Sequence, residues 1–154
     1  MALVLFLLSL TTTALLWADG GHIAKVQNQL YIKECGSCHL AFSPSFLNRE
    51  AWTKLMSNLG NHFGTDASLD KNDSDQILKF LTSNSSKHLN NPTNEIAITK
   101  LRWFQKEHRK MTEKIISNAQ IKTLSNCAAC HTKAQDNDFD EDSIRIPGVG
   151  FWRD

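Results

Sequence analysis

Residues 35–39 read CGSCH and residues 127–131 read CAACH. Each stretch sets two cysteines three apart, with a histidine directly after. The chain has four cysteines in all, so none is left over. C-x-x-C-H is the attachment signature of c-type haem. The chemistry explains the spacing. Each thiol adds to one vinyl group of the porphyrin, two intervening residues let both reach while the chain turns, and the next imidazole points at the iron. Cys35 and Cys38 are expected to hold a first haem c, with His39 on its iron. Cys127 and Cys130 are expected to hold a second, with His131 on its iron.

Other uses of cysteine explain less. Two C-x-x-C pairs also occur in zinc ribbons, but four thiolate ligands do not call for a histidine after each pair. A thioredoxin-like redox pair belongs in a βαβ pattern, which the chain lacks. Disulfides do not require the histidines either.

The N-terminus indicates the compartment. Residues 2–18 carry no charge, residues 3–10 are almost wholly apolar, and Ala18 precedes Asp19, Gly20 and Gly21. This is the pattern of a secretory signal peptide over residues 1–18, which predicts export to the periplasm. No Lys or Arg precedes the apolar run. A retained membrane anchor is therefore the alternative, at about 17 apolar residues near the lower limit for spanning a bilayer. The remainder is nearly balanced in charge, with 17 Lys and Arg against 16 Asp and Glu. That composition gives no reason to expect nucleic acid or an anionic surface as a partner.

The mature chain reads as all-α with long loops. Helices are expected over residues 23–34, from an Asn48 cap to about Leu59, from a cap near Asp73 or Ser74 through Thr82, from a Thr99 cap to about Met111, and over residues 118–134 carrying the second motif. Residues 135–154 should form a loop folded back on the domain. The Ser- and Asn-rich stretch 83–94, with Asn90, Asn91 and Pro92, marks a boundary. It divides a haem 1 module (residues 19–91) from a haem 2 module (residues 92–154). Each has only about 70 residues, too few for a sizeable apolar core without the porphyrin.

What lies opposite each proximal histidine decides the function. His22, His62, His88 and His108 remain, with Met56 and Met111 as thioether candidates. A distal ligand must come from a segment other than the motif. His62 follows a helix end, and Gly64 lets the chain pass close to a ring. Met56 competes, although its spacing with Trp52 and Leu59 suits core packing. His108 lies one turn beyond Trp103 and Phe104, which suit packing against a porphyrin, and Met111 shares its helix face as the other candidate. His22 and His88 read as ordinary surface residues unless the modules exchange ligands.

Several stretches carry a more specific pattern: residues 52–56 (WTKLM), 62–69 (HFGTDASL), 102–108 (RWFQKEH), and Phe139 with residues 144–147 (IRIP). Together with the two haem motifs they resemble the small soluble dihaem cytochrome c family, over nearly the whole mature chain. One departure is a loop after the first motif with only Pro44, where the family is often richer in proline. The resemblance implies two small cytochrome-c-like haem modules packed around two covalent haems. It implies bis-histidine irons, with His62 the distal ligand of haem 1 and His108 that of haem 2. It also implies donation of electrons to a small high-spin, oxygen-binding cytochrome.

An iron with both axial positions filled by imidazole has no free site for oxygen, peroxide or substrate, which suits outer-sphere electron transfer at low potential. The expected protein is an electron carrier, not an enzyme. Its partners would be redox proteins, such as the high-spin cytochrome or a membrane cytochrome b. The competing readings are a dihaem subunit of a larger periplasmic reductase of the nitrate-reductase type and, further off, a haem peroxidase. The basic run 100–114 can meet propionates or an acidic partner.

Overall fold

The computed structural model describes Ile23 and residues 25–152. The expected signal peptide and His22 lie outside the described residues. The element order is α1 (Gln29–Cys35), α2 (Arg49–Met56), α3 (Lys71–Ser83), α4 (Arg102–Glu107), α5 (Glu113–Ile116), then β1 (Arg145–Ile146) and β2 (Gly150–Phe151). Single 3-10 turns punctuate the connections. The fold is thus helical with long loops, plus a two-residue antiparallel hairpin in the tail that the sequence did not announce. No helix among the described residues is long and apolar enough to cross a membrane.

Local chemistry sets the helix starts. Asn28 caps α1 by accepting from the Tyr31 amide, so residues 25–28 stay outside the helix expected from Ile23. Asn48 caps α2 as predicted, but α2 stops at Met56 and a separate 3-10 turn, Leu59–Asn61, follows. Asp70, not Asp73 or Ser74, caps α3, its carboxylate accepting from the Asp73 amide at 3.0 Å. Asp73 falls in the first turn, where its charge complements the helix dipole.

The later expectations fail for identifiable reasons. Thr99 caps nothing: it lies in a 3-10 turn (Ile98–Lys100), and Leu101 precedes α4 in an extended conformation with its side chain buried. The helix ends at His108, and Thr112 turns the chain to cap α5. No helix spans residues 118–134. Asn118 accepts from the Gln120 amide, Asn126 donates to the Gln120 and Ile121 carbonyls, and Lys122 has φ 61°. These short amide side chains give the backbone local partners that compete with a helical ladder.

The core packs α2 and α3 with the start of the second half. Leu47, Ile77 and Leu81 are fully buried, beside Trp52, Met56, Leu101 and Phe104. Each such aliphatic side chain stabilises by roughly 1.5–3 kcal/mol. The cluster runs across the 83–94 stretch. Asn94 there is held by the side chains of Asn48 and Lys54.

Candidate dihaem centre

The first CxxCH begins where α1 ends. Cys35 closes the helix, and a Cβ on Gly36 would collide with the Ile32 carbonyl, so glycine fits between the thiols. His39 follows in an exposed turn, its Nδ1 2.7 Å from the Leu40 carbonyl. A carbonyl only accepts, so Nδ1 carries the proton and Nε2 is left with its lone pair, the form a metal takes.

His62 comes from a different segment. Its amide donates to the Thr65 carbonyl at 2.8 Å, and its carbonyl accepts from the Thr65 amide at 3.1 Å. Phe63 (φ 52°) and Gly64 (φ 89°) close this two-residue turn. Both central positions take positive φ, as tight hairpins require. The turn brings the His62 ring to 6.0 Å from the His39 ring, centroid to centroid, with the planes 23° apart. Desolvation, and secondly the nearby His39, hold His62 below the usual imidazole pKa. It is therefore a neutral donor near pH 7.

The second CxxCH occupies a 3-10 turn, Cys127–Ala129. The tail braces it. The Arg145 amide donates to the Cys130 carbonyl at 2.8 Å, and Thr132 Oγ1 donates to the Ser143 carbonyl at 3.0 Å. His108 stands at the end of α4. Its Nδ1 is 2.9 Å from the Phe104 carbonyl, and its ring stacks on Phe104 at 3.9 Å and 10°. The His108 and His131 rings are 6.1 Å apart with planes at 67°. Burial, and then the neighbouring His108, push His131 down to about 4. Its Nδ1 is buried with no hydrogen-bond partner.

These separations test the fit of a haem iron. Imidazole nitrogen bonds such a metal at about 2.0–2.1 Å and lies about 1.1 Å from its ring centre, so two rings on opposite faces of one iron stand roughly 6.3 Å apart. Both pairs fall within a few tenths of an ångström of that. Around the second pair lies a cleft of about 1260 Å³, open mouth included, with walls that include Trp103, Phe104, Leu124 and Phe139. Beside the first pair Phe63 is 62% exposed, an apolar face that a porphyrin would cover.

No disulfide joins the four cysteines, and among the described residues no three His, Cys, Asp or Glu side chains converge on a metal position. Burial pushes the Cys35 and Cys127 thiols up to about 11. Met56 is buried in the core, as its spacing suggested. Met111 lines the second cleft but lies beyond the His108 turn. His88 is exposed in the linker. The sequence did not single out Phe46, Leu124 or Trp152, which also line the cleft. They are scattered apolar residues in loops, with no spacing to betray them.

A helical chain with two separate histidine pairs, each beside a C-x-x-C, defines a c-type protein built for two haems. Residues 31–139 match the family described as dihaem cytochrome c, and the chain belongs to that family. It carries two haem c cofactors, and electron transfer is the activity the family implies. The X-ray structure of a dihaem cytochrome type c from Shewanella baltica OS155 is 33% identical. It superposes with a TM-score of 0.74, covering 83% of this chain and 99% of that one. A crystal structure from Rhodobacter sphaeroides is 36% identical with a TM-score of 0.67, covering 75% and 99%. A second dihaem cytochrome c structure from that organism is 34% identical with a TM-score of 0.69 over the same shares. No curated protein matches the chain.

Proposed function

We propose that the protein is a periplasmic carrier of single electrons, working through two low-spin haems that are each closed on both faces by histidine. One observation carries this reading: two imidazole pairs at 6.0 and 6.1 Å, each joining a motif histidine to one from another segment. In this assignment Cys35 and Cys38 hold haem 1, with His39 and His62 on its iron. Cys127 and Cys130 hold haem 2, with His131 and His108 on its iron. The bound irons supply a one-electron couple. The chain sets ligand identity, burial and the charge around them.

The hydrogen-bonded tautomers of His39 and His108 hold each ring ready to donate from Nε2. Arg109 and Lys110 at the rim of the second cleft suit haem propionates. Export rests on the sequence pattern of residues 1–18, and on that pattern the chain reaches its partners in the periplasm. A small high-spin cytochrome or a membrane cytochrome b is the proposed partner class. A peroxidase would need an iron with one open face, and neither pair leaves one.

His62→Ala and His108→Ala test the assignment. Each should open one iron to carbon monoxide while the other keeps its low-spin spectrum. A variant that binds no carbon monoxide and keeps both low-spin signals would refute that ligand.

A further inference from the structure

Ring contacts link the two histidine pairs through one side chain. Phe42 stacks on His39 at 5.1 Å and meets Phe46 at 6.3 Å. Phe46 in turn lies 5.5 Å from Trp103 and 5.5 Å from Phe139. Phe139 is 5.1 Å from His131. Trp103 reaches His108 through Phe104. Among the described residues, Phe46 is where the rings of the two sites meet. It belongs to the loop after the first motif, yet it forms part of the wall of the second cleft and is only 8% exposed.

That loop is clamped along its length. Tyr31 Oη donates to the Phe42 carbonyl at 2.8 Å, and Trp52 Nε1 donates to the Pro44 carbonyl at 2.7 Å within the core. Leu47, next after Phe46, is fully buried, and its carbonyl accepts from the Ser86 amide. A loop held at Phe42, Pro44 and Leu47 leaves Phe46 little freedom. The first site thus reaches into the second at a fixed point.

We propose that Phe46 is a positioning residue for electron transfer between the two haems. By seating the first motif's loop in the wall of the second site, it fixes how far apart the two cofactors lie. The step is one electron leaving a ferrous iron and reducing the ferric iron of the other site. No bond forms or breaks, no proton moves, and the phenyl ring is not itself oxidised. The rate of such a step falls steeply with separation, so a side chain that sets the separation sets the rate.

The test uses the full-length holoprotein, half reduced, with exchange between its two one-electron states read from the line widths of the haem methyl NMR signals. Phe46→Ala should slow the exchange severalfold, because the void left by the phenyl ring lets the loop shift. Phe46→Leu, which refills the space, should restore most of it. Asp70→Ala provides the control. Asp70 caps α3 away from the loop and the chain of rings, and its loss should lower thermal stability without slowing exchange. If Phe46→Ala fails to retain both haems, Phe46→Val takes its place with the same expectation. Unchanged exchange in the Phe46→Ala or Phe46→Val variant, or equal slowing in Asp70→Ala, would overturn the proposal. The inference rests on the bis-histidine reading. Failure of that reading would show as a high-spin spectrum in the unsubstituted protein, whereas failure of this one would leave both haems low-spin.

Discussion

Gly64 is small in the sequence and decisive in the site. Its φ of 89°, next to Phe63 at 52°, closes the turn that exchanges two backbone hydrogen bonds between His62 and Thr65 and aims the His62 ring at His39. A side chain in that region of φ costs about 1–2 kcal/mol. Gly64→Ala should therefore lower the melting temperature by a few degrees and leave both haems low-spin; an unchanged melting temperature would show that the turn does not need glycine. Phe104 supports the second proposed distal ligand, stacked on His108 and 4% exposed. Phe104→Ala should cost roughly 3–5 kcal/mol, the usual loss for a buried aromatic, and loosen haem 2 before haem 1 when the protein is heated. Equal loss of both haems would contradict that order. At this scale the sequence was informative where chemistry fixes the spacing. CxxCH names its own residues, and a glycine two beyond His62 hints at a close approach. Phe46 left no such trace, because its role depends on where a loop lands.

Helix caps separate what was legible from what was not. Asn48 and Asp70 both accept from the amide three residues on, and both are short polar side chains before an apolar-periodic run. Asn48 stands alone in its stretch, whereas the cap of α3 is expected near Asp73 or Ser74, and only the structure selects Asp70. Asp70→Ala should cost about 1 kcal/mol, as loss of a cap does. Thr99→Ala should stay within about 0.5 kcal/mol, since Thr99 caps no helix. Chemical unfolding of the two variants checks both values, and equal losses would mean that the cap has been misplaced. The second motif was the harder case. The helix expected over residues 118–134 does not form, because Asn118 and Asn126 spend their amides on nearby carbonyls and on Pro147 of the tail. Tertiary contact from the tail braces Cys130, and sequence periodicity does not register a brace.

At the scale of the whole molecule, one apolar cluster serves both halves and a second set of apolar side chains lines the second cleft. Without the porphyrins, the second cleft would leave Trp103, Leu124 and Phe139 against water. The haem-free chain is therefore expected to unfold without a cooperative transition and to lack the near-ultraviolet signal of packed tryptophans. A cooperative, native-like haem-free form would contradict this. The central claim, two irons each clamped by two histidines, is tested most directly by electron paramagnetic resonance of the oxidised protein. Each imidazole donates from the orbital perpendicular to its ring plane, so the 23° pair loads mainly one iron orbital and the 67° pair shares its donation between two. The account predicts two low-spin ferric signals of different anisotropy, the larger from haem 2, and no high-spin signal. A high-spin signal from either haem without added ligand would contradict it.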